Sequence, residues 1–181
     1  MGGWELLRPA KKVPTTRWSS SNPMSTRPRL STLSILLVGE FLFGLGDAFL
    51  IVAGVGNTPW TVLAEGIATV IGWSIGKATF LVSAAVLLLW IPIREVPGIG
   101  TLLNAIIIAA TIELTVDRIP ASDDILVSFL QVCLGILLIG IGSAMYLTAN
   151  LGPGPRDGWM TGLQRVTGVP IGRVRVTIEI S

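Results

Sequence analysis

The sequence has no histidine and only one cysteine, Cys133. A chain with one thiol cannot form an intramolecular disulfide, and it cannot build a zinc or iron–sulfur site from cysteine and histidine ligands. Few groups are then left for nucleophilic catalysis. We therefore expect a protein that is not an enzyme and that holds no metal or cofactor. Because Cys133 lies in an apolar run, we expect its thiol to be buried and unreactive.

Charge is also scarce. Charged residues make up 13% of the chain, against roughly 25% in soluble domains, while hydrophobic residues make up 51%. No charged residue occurs in the 31 positions between Asp124 and Arg156, which is longer than the about 20 residues that cross a bilayer. This composition predicts an all-α membrane protein, a multi-span helical bundle whose main partner is the lipid bilayer. We expect no nucleic-acid partner.

Hydropathy predicts four membrane spans, at about residues 33–55, 78–93, 96–116 and 125–151. The segments 57–77 and 153–173 each follow a span, open with a Gly/Pro turn and end in a G-x-x-x-G pair, a pattern that lets helices approach closely. We predict that each holds a short helix, either interfacial or re-entrant, that does not complete a crossing.

The chain also repeats itself at an offset of 96 residues. Residues 39–83 align without gaps on residues 135–179, and 13 of the 45 positions are identical. Glycine recurs where a backbone must come close or turn sharply, so shared glycines predict a shared backbone path. The glycines that define this repeat are Gly44, Gly46 and Gly56 in the first copy and Gly140, Gly142 and Gly152 in the second.

The repeat divides the chain into three regions. Residues 1–30, rich in basic residues, serine and proline, are predicted to be a disordered tail. Residues 31–122 form the first membrane repeat, with about three spans and a short interfacial helix, and residues 123–181 form a second, truncated repeat. Ser181 corresponds to Ala85, in the middle of a span, so we expect the chain to be part of a longer six-span protein.

Basic residues orient the chain, because loops rich in Lys and Arg stay in the cytoplasm. The N-terminal tail carries six basic residues and is expected inside, whereas the Asp117–Asp124 connection, with three acids and one arginine, suits the outside. The segment after the fourth span is rich in arginine and suits the inside. Its counterpart after the first span has Lys77 as its one basic residue and can lie outside. The two repeats would then be inverted in a multi-pass protein of the cytoplasmic membrane.

A resemblance rests on residues 140–158, Gly-Ile-Gly-Ser-Ala-Met-Tyr-Leu-Thr-Ala-Asn-Leu-Gly-Pro-Gly-Pro-Arg-Asp-Gly. This stretch is similar to the signature of the YczE-like bacterial integral membrane proteins, which are grouped with YitT and YyaS. Residues 168–179 and the degenerate first copy, residues 53–60, carry the same resemblance. The family implies a cytoplasmic-membrane protein with several helices, and it supplies no established reaction or substrate.

Two acids inside the first predicted span, Glu40 and Asp47, are candidates for an ion or substrate site. A charge in a span costs on the order of 2.5–3.5 kcal/mol on insertion scales, so such residues are functional candidates. They are seven positions apart and share a helix face. We predict that Asp47 faces Gly142–Ala144 across the repeat. In the alternative, Glu40 lies shallowly and hydrogen-bonds to a neighbouring helix.

Arg156 and Asp157 are further candidates, since they follow the Pro153–Pro155 turn. We predict that the Asp157 carboxylate caps a helix that begins near Gly158. Arg156 is expected to bind an anionic headgroup or substrate, or else to anchor the helix at the interface.

Two function classes fit these patterns. Inverted repeats with glycine- and proline-interrupted helices are typical of secondary transporters, so the first is a small transporter or permease-like protein. The second is a membrane accessory or scaffold protein that acts through helix contacts, by self-association or with partner membrane proteins.

Overall fold

The computed structural model describes residues 13–180, with side chains through residue 178. This part of the chain is helical and contains no strand, as the sequence predicts. The helices are α1 (Leu30–Ala53), α2 (Pro59–Ile71), α3 (Ile75–Ile93), α4 (Ile99–Thr115, continued by a 3-10 turn over Val116–Arg118), α5 (Ile125–Ala149), α6 (Pro155–Thr167) and α7 (Ile171–Ile180).

Four of the helices, α1, α3, α4 with its 3-10 turn and α5, are long and apolar enough to cross a membrane. They correspond to the four predicted spans, and every end lies within three residues of its predicted position. Hydropathy does not locate the ends of these helices to the residue, because it does not detect the turns that end them. α1 stops at Gly54 and α5 stops at Asn150, both in the left-handed conformation with φ of 63° and 53°, which ends a helix in apolar sequence.

The two short helices that the glycine and proline pattern predicts are α2 and α6. Each has 13 residues and begins with proline, Pro59 and Pro155. Proline suits this position because the first N–H of a helix has no intrahelical acceptor. Each ends at a left-handed glycine, Gly72 or Gly168. The bounds of α6 lie 96 residues after those of α2 at both ends.

α1 and α5 run antiparallel and touch through their backbones. A Cβ atom placed on Gly142 would lie 2.5 Å from the carbonyl oxygen of Gly39, and one placed on Gly46 would lie 2.6 Å from that of Gly135. These glycines are seven residues apart on each helix and lie along one stripe, so no other residue fits there without moving the helices.

α4 packs beside this pair, and α6 packs beside α3. Gly44 of α1 lies against Ile108 and Thr111 of α4. On the other side, the indole of Trp90 lies against Gly158 and is buried with the apolar residues of α2 and α3. Many large apolar side chains point outward, as expected for helices that meet lipid. Cys133 is among the outward-facing residues, so the expectation that it is buried is wrong.

The predicted repeat glycines do not all serve the same purpose. Gly44, Gly46 and Gly142 allow close helix contacts, and Gly152 adopts φ of 107° in the loop before α6. Gly56 also has a positive φ, but no atom would meet a Cβ there within 4 Å. Gly140 stands in open space inside a regular helix, so close approach does not explain it.

The described part of the N-terminal tail, residues 13–29, has no helix but makes defined contacts. The indole N–H of Trp18 donates to Thr148 Oγ1 at 3.1 Å, and the Ser20 N–H donates to the Ala149 carbonyl at 2.9 Å. The Asn150 amide in turn donates to the Ser20 carbonyl at 2.8 Å. The stretch thus covers the end of α5, where carbonyls lack intrahelical partners, and differs here from the disordered tail predicted for residues 1–30. Residues 1–12 of that prediction lie outside the described part.

Candidate functional site

The start of α6 is held inside the bundle by hydrogen bonds from α3 and α4. The Leu151 carbonyl accepts from the Gly100 N–H at 2.8 Å, and the Pro153 carbonyl accepts from Thr101 Oγ1 at 2.7 Å. The Pro155 carbonyl accepts from the Trp90 indole at 3.1 Å. Irregular backbone at membrane depth needs such protein partners because lipid offers none. The loop between α5 and α6 is therefore a fixed part of the interior.

This placement brings Arg156, in the first turn of α6, to Asp47 in α1. The guanidinium Nη2 lies 4.0 Å from Asp47 Oδ2, and its carbon lies 5.2 Å from the ring centre of Phe43. Asp47 is 3% exposed. Its second oxygen, Oδ1, has no hydrogen-bond partner among the described residues. The structure thus unites two of the four predicted site residues as an ion pair.

The prediction that Asp47 faces Gly142–Ala144 is wrong. Gly142 packs against Gly39 and Phe43, not against Asp47. The reason is helix geometry, since Gly46 faces α5 and the next residue points about 100° further round the helix. Asp47 accordingly shares the face of Gly44, which lies against α4.

Glu40 is also buried, with none of its surface exposed. Neither carboxylate oxygen has a hydrogen-bond partner among the described residues, so a hydrogen bond to a neighbouring helix is not seen. Glu40 lines neither of the two central cavities described below. Burial of both acids agrees with a shared helix face, but only Asp47 reaches Arg156.

The prediction that the Asp157 carboxylate caps α6 is wrong. The helix begins at Pro155, its N-cap residue is Gly154, and no side chain makes the capping bond. Asp157 lies inside the first turn, where it accepts a short hydrogen bond from the hydroxyl of Tyr146. In α2 the N-cap is Thr58, whose hydroxyl accepts from the Thr61 N–H at 3.3 Å.

Two adjacent cavities lie around these groups. The smaller, of about 30 Å³, is bordered by Asp47, and the larger, of about 530 Å³, is bordered by Tyr146 and Asp157. Both are lined by Trp60 and Arg156, which belong to the first turns of α2 and α6. The starts of the two short helices therefore face the same space.

Two lining residues escaped the sequence reasoning. Asn104 in α4 borders both cavities and is 7% exposed, and Tyr146 in α5 is 4% exposed. Each carries a signal that could have found it. Asn104 is the one amide in its predicted span, and Tyr146 is the single tyrosine of the chain. A polar side chain alone in a span marks a functional position in the same way as a charge.

The chain also contains a G-x-S-x-G string at residues 72–76. Its serine, Ser74, is the residue before α3 and donates a hydrogen bond to Glu113 Oε1 at 2.8 Å. In hydrolases such a serine follows a strand and is paired with a histidine, whereas Ser74 follows α2 and the chain has no histidine. Among residues 13–180, no three side chains of the His, Cys, Asp and Glu types cluster as metal ligands.

Comparison with known proteins gives family matches without a function. The sequence matches a family of unknown function (DUF6198) over residues 30–181. An uncharacterized protein of Haemophilus influenzae is 42% identical over 177 residues, which cover 97% of this chain and 80% of that protein. The uncharacterized membrane protein YczE of Bacillus subtilis is 30% identical over 127 residues, or 70% of this chain and 59% of YczE. The uncharacterized protein YyaS of the same species is 28% identical over 66% of this chain and 62% of YyaS. No solved structure matches.

Proposed function

The chain belongs to the DUF6198 family and to the YczE-like group of membrane proteins, and on that premise we propose that it is a small, non-enzymatic transporter of the cytoplasmic membrane. Its substrate would bind in the central cavities beside Asp47 and Arg156.

One observation carries this proposal. Two short helices, each interrupted from the preceding long helix by a Gly/Pro turn, start at the same interior space next to a buried ion pair. In secondary transporters, broken helices of this kind point their N-termini at the substrate, because free N–H groups and the helix dipole favour negative charge there. A protein that serves only as a scaffold has no need for an interior polar cavity.

The contacts between α1 and α5 support an inverted repeat. The offset of 96 residues carries Gly39 to Gly135 and Gly46 to Gly142. The same offset therefore exchanges the two observed contacts, Gly39 with Gly142 and Gly46 with Gly135. An antiparallel pair whose contacts are exchanged in this way has a pseudo-twofold axis between its helices, as inverted repeats require.

A scaffold or accessory role is the second candidate. It is favoured by the face of α5 around Gly140, where a small residue stands in open space beside outward-facing apolar side chains such as Ile136, Leu137 and Ile141. Small residues on an apolar helix allow another helix to pack closely, whether from a second copy or from a partner protein.

Reconstitution into liposomes tests the two candidates. We expect at least one compound from a panel of radiolabelled metabolites to accumulate in the liposomes. Asp47→Asn should reduce the initial rate of its uptake at least tenfold, while protein yield and thermal unfolding stay close to those of the parent. If no compound enters faster than into empty liposomes, the scaffold role is the better one.

A further inference from the structure

The smaller cavity has the character of a site for a compact positive group. Asp47 borders this cavity and is almost wholly buried, and its Oδ1 has no hydrogen-bond donor among the described residues. A buried carboxylate oxygen without a donor is costly, so it favours a ligand that donates hydrogen bonds and carries positive charge. The volume of about 30 Å³ admits one or two groups the size of water. An ammonium group satisfies both conditions.

The larger cavity has the opposite character where it meets the smaller one. Arg156 borders both, and no side chain caps α6, so the N–H groups of Arg156 and Asp157 lack a capping acceptor. The carboxylate of Asp157 is itself engaged by the Tyr146 hydroxyl, and Arg175 of α7 adds a second positive charge to the lining. A guanidinium beside an uncapped helix start binds a carboxylate well.

Part of the lining of the larger cavity is apolar. Apolar side chains reach it from α1, α4, α5 and α6, namely Phe43, Ile108, Ile139, Leu147 and Met160. Its volume of about 530 Å³ leaves room for an apolar group behind the polar end of a ligand.

We infer that the two cavities together bind a zwitterion of the α-amino acid type, with the ammonium group at Asp47 and the carboxylate at Arg156 and the start of α6. Asp47 Oδ2 and Arg156 Nη2 lie 4.0 Å apart. The two side chains can therefore contact an ammonium and a carboxylate group that are carried on one carbon atom. The apolar lining selects a neutral amino acid with an apolar side chain. This inference rests on the proposed role of the cavities as the substrate site.

The test measures binding to the purified chain in detergent, with alanine, leucine, methionine and phenylalanine as probes. For leucine, two analogues each remove one charge, namely 3-methylbutylamine, without the carboxylate, and 4-methylpentanoate, without the ammonium group. We expect leucine to bind at least tenfold more tightly than either analogue, as measured by equilibrium dialysis with labelled compounds.

Three variants test which residue binds the ammonium group. Asp47→Asn is expected to weaken leucine binding at least tenfold and not to weaken binding of 4-methylpentanoate, because it removes the partner of the ammonium group and a negative charge next to Arg156. Glu40→Gln is the matched control, since it makes the same chemical change in the same buried helix but borders neither cavity. It should bind leucine as the parent does. Asp47→Glu, which keeps the charge, should retain more leucine affinity than Asp47→Asn, and this comparison decides the matter if Asp47→Asn folds poorly.

Several outcomes would overturn the inference. They are equal binding of leucine and 4-methylpentanoate, full leucine affinity in Asp47→Asn, or no binding of the four amino acids to protein that is monodisperse and unfolds cooperatively. These failures are distinct from failure of the transporter proposal. Leucine that binds but does not enter liposomes contradicts transport alone, and uptake of another compound without amino acid binding contradicts the zwitterion site alone.

Discussion

At the scale of single residues, Gly142 and Gly140 lie two positions apart on α5 in opposite surroundings. A Cβ on Gly142 would lie 2.7 Å from the Phe43 backbone nitrogen, whereas a Cβ on Gly140 would meet nothing within 4 Å. We predict that Gly142→Ala destabilises the protein by about 1–3 kcal/mol because α1 and α5 must separate. Gly140→Ala should be neutral or stabilising, since alanine is the better helix former.

Thermal unfolding of both variants in the same detergent measures this difference. The two substitutions add the same methyl group to the same helix, so the effect of helix propensity largely cancels between them. An equal melting temperature for the two variants would show that the backbone contact between α1 and α5 is not tight in solution.

The residues of the site were only partly predictable from the sequence. Charges in apolar sequence pointed to Asp47, and the Gly/Pro turn pointed to Arg156. Their pairing was not predictable, because it depends on the rotation of α1 about its axis and on how deeply α6 starts in the bundle. The role of Asp157 was missed for a related reason, since its partner Tyr146 is on another helix.

At the scale of elements, the loop between α5 and α6 depends on Thr101 of α4. Its hydroxyl donates to the Pro153 carbonyl and accepts from the Gly98 N–H at 3.2 Å. We predict that Thr101→Val costs about 1–3 kcal/mol of unfolding free energy, because it leaves buried backbone groups without partners. Thr69→Val is the control, as Thr69 is exposed and its hydroxyl bonds only to a carbonyl of its own helix. Equal unfolding midpoints in denaturant for the two variants would contradict the anchoring role.

The elements themselves were largely predictable. Long apolar runs gave the four spans, and proline and glycine gave the two short helices, because both signals are local. The stretch around Trp18 and Ser20 was not predictable, since its polar composition is that of a disordered tail. It takes its conformation from the end of α5, about 130 residues further along the chain.

At the scale of the whole molecule, the basic segments gather at one end. Arg165 bonds to Glu95 at 3.0 Å and to the Ile93 carbonyl, beside the start of α4. Asp123 precedes α5 at the opposite end of the bundle. We predict that the Arg165 end faces the cytoplasm, because loops rich in Lys and Arg remain there.

Single cysteines in a Cys133→Ser background test this orientation in intact cells. Asp123→Cys should react with a membrane-impermeant maleimide from outside, and Thr167→Cys, which is exposed at the end of α6, should react only after permeabilisation. Cys133→Ser alone serves as the unlabelled control. Labelling of position 167 from outside would contradict this orientation.

The Asp47–Arg156 pair also has a consequence for how the protein is made. Asp47 leaves the ribosome about 110 residues before Arg156, which corresponds to roughly 5–20 seconds of synthesis. During that interval an acidic helix has reached the bilayer without its counter-charge and without the glycine stripe of α5. α1 therefore reaches its final surroundings only after α5 and α6 have been made.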